Sequence, residues 1–105
     1  MAYSESIASF VEDQLSGLGE LHTKKMFGAL AFYCDEVLFG AVMDDHFTLK
    51  AKGALEKEFE AKGMKRHVVK GRDIQMPYFD VSSEDLENND QLKELAMLSI
   101  NAQKK

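Results

Sequence analysis

Residues 29–50 read ALAFYCDEVLFGAVMDDHFTLK, three short apolar runs separated by two acidic pairs. Runs rich in Phe, Val and Leu between acidic turn residues are typical of strands, so this stretch predicts a three-stranded meander. Its first two strands, Ala29–Cys34 and Val37–Met43, are apolar on both faces, whereas Phe47–Lys50 alternates like a half-exposed strand. We expect helices to cover one face and a second subunit to cover the other.

Large apolar side chains between Phe27 and Leu49 are expected to form the core, since each contributes ~1.5–3 kcal/mol when fully buried. They are Phe27, Phe32, Leu38, Phe39 and Leu49.

Helical spacing of apolar residues appears on both sides of the meander. It predicts a first helix over about 4–16, capped by Ser4, and a second helix over about 53–62. Gly63 fits a Schellman ending of the second helix, with an apolar contact between Met64 and Phe59.

The C-terminal third predicts a hairpin and a terminal helix. The strands Arg66–Lys70 and Ile74–Phe79 flank a Gly-Arg-Asp turn. Because proline has no amide to donate, the strand of Pro77 is expected to lie at an edge of the sheet or to end beside the proline. The helix begins after Ser82 and is broken or recapped near residues 88–90. The element order α-β-β-β-α-β-β-α thus predicts one α+β domain over residues 1–105, a two-layer structure whose mostly antiparallel sheet carries its helices mainly on one face.

Composition limits the classes of function. The 105 residues include 13 Lys and Arg against 18 Asp and Glu, giving a formal net charge of −5. This charge opposes sequence-independent DNA binding, which depends on clustered Lys and Arg. The longest uncharged apolar stretch, Met26–Cys34, is well short of the ~20 residues that cross a bilayer. No signal region opens the chain, so we expect a cytoplasmic protein with no membrane partner.

We expect no metal, no cofactor and no catalytic residue. His22, His46 and His67 fall in separate predicted elements, without the i, i+4 spacing that holds a metal on one helix, and are interpreted as solvated. Cys34 stands alone in an apolar strand, and the serines lie at helix starts, where capping explains them. The sequence contains no Gly-rich phosphate loop.

Positive charge is concentrated between Lys62 and Arg72, across a helix end and a hairpin. Its candidate anion contacts are Lys65, Arg66, Lys70 and Arg72. Charged and apolar residues alternate there, as a half-buried strand requires, and no aromatic pair is interleaved for base stacking. A solvated hairpin is therefore favoured, and weak nucleic-acid binding is kept as an alternative.

Several short motifs, in order, cover almost the whole chain. They are Lys25-Met26-Phe27-Gly28, Phe32-Tyr33, Leu38-Phe39, Leu49-Lys50-Ala51, Phe59, Gly63 and Met76-Pro77-Tyr78. Together they resemble the N-terminal domain of the TfoX/Sxy family of competence regulators. Ala29 stands where that family usually has a second Gly, and Glu36 and His46 occupy turn positions often held by Gly, so those turns are expected to differ in type.

The resemblance implies a compact α/β domain that serves bacterial transcription regulation, in the best-known members by assisting the cyclic-AMP receptor protein at competence promoters. Those members carry a second, helical domain, so this chain is expected to be a stand-alone version. The family pattern implies no catalytic residues. We therefore predict a non-enzymatic regulatory domain that acts through protein contacts as a homodimer, with a protein partner in the transcription machinery.

Three of the matched residues are polar groups within or beside apolar strands, where a ligand, a partner or a buried carboxylate is expected. They are Lys25, Lys50 and Tyr78. The main alternative function is accordingly a small-molecule or anion-binding domain in which these three side chains converge on one pocket.

Overall fold

The computed structural model describes residues 3–26, 28–68 and 75–103. Its elements, in chain order, are α1 (Glu5–Gln14), β1 (Leu21–Met26), β2 (Ala29–Cys34), β3 (Val37–Met43), β4 (His46–Lys50), α2 (Ala54–Ala61), β5 (Lys65–Val68), β6 (Gln75–Asp80), α3 (Ser83–Glu87) and α4 (Asn89–Gln103). The strands form one antiparallel sheet in the order β1-β2-β3-β4-β6-β5. The predicted α+β class, with a mostly antiparallel sheet, is confirmed.

The meander has one strand more than predicted. β1 reads LHTKKM and pairs along its whole length with β2, from Leu21 opposite Cys34 to Met26 opposite Ala29. It was missed because four consecutive polar residues interrupt its apolar pattern. An edge strand can be this polar, since its backbone pairs on one side only and exposed lysines protect the other side.

One face of the sheet carries the core. Residues directly opposite each other on paired strands share a face, and this face holds Leu30, Phe32, Val42, Phe47, Leu49 and Phe79. They belong to one buried cluster with apolar residues of α1, α2 and α4. Edge-to-face ring contacts connect Phe32 to Phe47 at 5.5 Å and Phe59 of α2 to Phe79 at 5.8 Å between centroids. The expectation that the helices pack mainly on one face is confirmed.

The opposite face of the sheet, the far face, is built differently. The register places Ala31, Ala41 and Thr48 side by side at its centre, and all three are buried. Around them lie half-buried Tyr33, Leu38, Met43, Lys50 and Tyr78. Because the central residues are small and larger ones surround them, the far face has a shallow depression at its centre.

A bulge in β3 fixes how α4 docks. Phe32 pairs with Gly40 and Tyr33 with Leu38, so Phe39 is the extra residue of a bulge and its carbonyl is withdrawn from regular pairing. The buried Ser99 hydroxyl of α4 lies 2.7 Å from that carbonyl and also contacts the carbonyl of Lys50. One hydroxyl therefore holds α4 against two strands.

The main chain approaches closely where β3 passes β4. A Cβ atom on Gly40 would lie 2.6 Å from the Thr48 carbonyl oxygen, which explains glycine within an apolar strand.

The β2–β3 turn has positive φ at both central residues, 49° at Asp35 and 69° at Glu36, as two-residue hairpin turns require. Glu36 therefore occupies a conformation that favours glycine.

The predicted helix ends agree with the structure. The Ser4 hydroxyl accepts from the amide of Ile7, and the Ser82 hydroxyl accepts from the amide of Asp85. At the end of α2, the amide of Met64 donates to the carbonyl of Phe59, and Gly63 has a φ of 88°, which completes the Schellman motif. α3 and α4 are separate helices that meet at Asn88.

The predicted edge position of the Pro77 strand is wrong. β6 lies between β4 and β5, and β5 forms the edge. The register against β5 is irregular between Arg66 and Val68, so Pro77 needs no amide there, while its carbonyl accepts from the amide of Ala51. A local irregularity thus admits proline to an inner strand.

The expected core residues are placed as follows. Phe32, Phe39 and Leu49 are fully buried, and Leu38 is half-buried on the far face. Phe27 lies outside the described residues, as do the predicted turn at 71–73 and Ile74.

Candidate functional site

Two of the three polar candidates lie side by side on the far face. Lys50 on β4 is directly opposite Tyr78 on β6, and both side chains are half-buried. Burial raises the pKa of the Tyr78 phenol, and the nearby Tyr33 raises it further. Tyr78 therefore keeps its proton to higher pH than an exposed tyrosine, and its phenol can act both as a donor and as an acceptor.

The third candidate, Lys25, is not part of this group. It is opposite Leu30 and therefore lies on the core side of the sheet, and two strands separate β1 from β4. Its side chain is exposed. The expected convergence of Lys25, Lys50 and Tyr78 is thus corrected, because the parity of the β1–β2 register turns Lys25 to the other face.

The candidate anion contacts are also divided. Lys65 is exposed and opposite Asp80 on the far face, whereas Arg66 is opposite Phe79 on the core side. The Arg66 guanidinium lies 2.6 Å from a Glu56 carboxylate oxygen and 4.9 Å from the centroid of the Phe79 ring. Arg66 thus packs β5 against α2 and β6. Lys70 and Arg72 lie outside the described residues.

The sequence reasoning missed a cluster of two histidines and an aspartate. His67 is only 4% exposed, and its Nδ1 atom lies 2.8 Å from Oδ1 of Asp80. The ring of His46 meets that of His67 edge to face, with centroids 5.8 Å apart. His46 itself is exposed, as expected of a residue beside a turn, but the interpretation of His67 as solvated is wrong. The only sequence signal that His67 is buried is its position in a strand where polar and apolar residues alternate.

The third histidine is separate from this cluster. His22 on β1 is exposed and lies 3.1 Å from a Glu20 carboxylate oxygen. Within residues 3–26, 28–68 and 75–103, no three His, Cys, Asp or Glu side chains are placed to hold a metal ion. Over the same ranges, no helix combines the length and apolar character needed to cross a membrane.

One comparison with known proteins agrees with the sequence motifs. The family model described as the TfoX N-terminal domain matches residues 13–103, which is nearly the whole chain. A comparison with curated proteins gave no match. On the extent of the family match, the chain belongs to the TfoX N-terminal domain family.

Proposed function

We propose that this chain is a non-enzymatic regulatory domain that acts in transcriptional control through protein contacts, with two copies associating through their far faces. Membership of the TfoX N-terminal domain family supports the regulatory class. The observation that carries the proposal is the far face itself, a sheet surface opposite the helices with a shallow apolar centre.

The side chains of the far face suit contact with protein. Tyr33, Leu38, Met43 and Tyr78 keep part of their surface exposed around the buried Ala41. Aromatic residues and methionine are enriched at the cores of protein interfaces, where they fill shallow pockets on the partner. A flat sheet with a small-residue centre can receive such groups from another chain.

The charges of the far face favour a second copy as the partner. Lys50 and Asp80 both belong to it, two residues apart in the β4–β6 register. A two-fold axis brings each group of one subunit to the same patch of the other, so opposite charges within one patch can pair across the interface. These opposite charges on one patch support the pairing of two far faces.

The oligomeric state tests the association. Sedimentation velocity of the wild-type chain should show a concentration-dependent dimer, and Leu38→Lys, which places a charge on the far face, should give a monomer. Met97→Lys is the matched control, since Met97 is an exposed apolar residue of α4, away from the sheet. If the wild-type chain is a monomer at all concentrations, the proposed dimer does not form. If Leu38→Lys is still a dimer, the far face is not the interface.

Transcript levels test the regulatory role. Deleting the gene should change the abundance of a defined set of transcripts, and wild-type and Met97→Lys chains should restore it. Leu38→Lys should fail to restore it despite normal folding by circular dichroism. Unchanged transcripts after deletion would count against a role in transcription.

The pairing of Lys50 with Tyr78 favours small-anion binding as the second candidate. An ammonium group beside a phenol that keeps its proton can donate two hydrogen bonds to one carboxylate or phosphate. A thermal-shift screen of nucleotides and anionic metabolites tests it, because a ligand that binds only the folded state raises the melting temperature. A shift that Lys50→Ala abolishes would favour this function over the regulatory one.

A further inference from the structure

A crevice of about 490 Å³ opens at the end of the sheet where β4 begins and β6 ends. α2 ends and β5 begins on one side of it, and the β3–β4 turn and α3 lie on the other. Its volume is in the range of small-molecule sites, roughly 300–1,000 Å³. The His46–His67–Asp80 cluster adjoins it, since His46 and Asp80 belong to its lining.

The lining of the crevice contains three aspartates and two lysines. Asp80 and Asp45 each lie against an imidazole, at 2.8 Å from His67 and 3.4 Å from His46. Lys62 and Lys65 line the α2–β5 wall, and neither has an ion-pair partner among the described residues. The third acid of the lining, Asp85, belongs to the first turn of α3. The lining therefore contains two lysines that form no described ion pair, and Asp80 lies opposite Lys65 in the β5–β6 register.

The same crevice offers apolar surface beside those charges. Ile7, Met64 and Leu86 all line it, and Met64 stands between the two lysines in sequence. Ile7 and Leu86 are half-buried and pack against the core cluster, so they form a fixed wall. A ligand that fits has an anionic end and an apolar body.

We propose that the crevice binds a small organic carboxylate, with its carboxylate between Lys62 and Lys65 and its apolar body against Ile7, Met64 and Leu86. Charge-assisted hydrogen bonds from the ammonium groups hold the anionic end. Burial of the apolar body adds affinity in proportion to the area removed from water. The site does not include Lys50 or Tyr78, whereas Lys65 and Asp80 of its lining also belong to the far face.

Isothermal titration calorimetry of the full chain with hexanoate, hexylamine and inorganic phosphate tests the chemistry of the site. Hexanoate should bind at one site per chain. Phosphate, which has no apolar body, should bind at least roughly tenfold more weakly, and hexylamine should not bind. Equal affinity for phosphate would overturn the apolar contact, and tighter binding of hexylamine would overturn the sign of the charge.

Paired double variants locate the site. Lys62→Ala/Lys65→Ala should weaken hexanoate binding by roughly tenfold or more. Lys52→Ala/Lys57→Ala removes the same charge from exposed positions outside the lining and should bind like the wild type. If both double variants lose the same affinity for hexanoate, the effect comes from net charge and not from this site. If neither loses affinity, hexanoate binds elsewhere. Lys50→Ala should leave the affinity unchanged, which separates this site from the Lys50–Tyr78 pair.

Discussion

The Nδ1 atom of His67 lies 2.8 Å from Oδ1 of Asp80, thirteen residues later in the chain. With Nδ1 protonated, the imidazole donates to the carboxylate. The His67 side chain is 5% exposed and that of Asp80 is 30% exposed. The Nδ1 atom of His67 therefore relies on Asp80 for its hydrogen bond, whereas the carboxylate can also bind water. The pair joins the edge strand β5 to the inner strand β6.

Removing the acceptor should therefore destabilise the fold. Asp80→Ala leaves a buried imidazole nitrogen without its partner and should lower the free energy of unfolding by about 1–3 kcal/mol. Asp80→Asn keeps an acceptor oxygen and should lose less. Urea titration followed by circular dichroism measures both. Asp45→Ala, at an exposed contact with His46, is the control and should change stability by no more than about 0.5 kcal/mol. If Asp80→Ala matched the control, the pair would be without structural importance.

The Ser99 hydroxyl should stabilise the docking of α4. Ser99→Ala removes the hydroxyl whose single proton is shared between the carbonyls of Phe39 and Lys50, and should cost about 1 kcal/mol. Gln103 also donates to the Lys50 carbonyl, at 3.3 Å, so that carbonyl keeps a donor in the variant. The Phe39 carbonyl loses its side-chain donor. Amide hydrogen exchange of β3 should accelerate in this variant and not in the exposed control Ser83→Ala. Unchanged exchange in both would contradict this role of Ser99.

The β2–β3 turn should become more stable with glycine. Glu36 has a φ of 69°, a conformation that costs an L-residue about 1–2 kcal/mol, whereas glycine adopts it freely. Because glycine loses more backbone entropy on folding, the net gain of Glu36→Gly should be about 0.5–1 kcal/mol. Thermal unfolding checks it, with Glu20→Gly in the loop before β1 as the control. A lower melting temperature for Glu36→Gly would show that the turn relaxes differently.

Tyr78 should make the chain sensitive to alkali. Burial, with a smaller effect of Tyr33, raises the pKa of the folded state above that of the unfolded chain. The folded state then binds the proton more tightly, so this contribution to stability is present below the unfolded pKa, about 10, and is lost as the pH rises through the folded pKa. The difference in unfolding free energy between wild type and Tyr78→Phe should move in favour of the variant between neutral pH and pH of about 11. A difference that does not change with pH would contradict the shift.

Local chemistry explains what could be predicted. The three apolar runs of 29–50 became β2, β3 and β4, and the serine caps and the Gly63 ending set the helix boundaries. These features depend on residues within one or two turns of each other, so a single stretch of chain contains the information. The strand β1 was not predicted because it is stabilised by pairing with β2 rather than by an apolar pattern of its own.

The candidate sites show where such reasoning ends. The sequence by itself determined the family, the α+β class and the presence of Lys50 and Tyr78 within strands. Only the tertiary structure decided that these two are neighbours, that Lys25 faces the other way, and that His67 is buried against Asp80. The physical reason is that strand order and register join distant parts of the chain, and a shift of one residue moves every side chain of a strand to the opposite face.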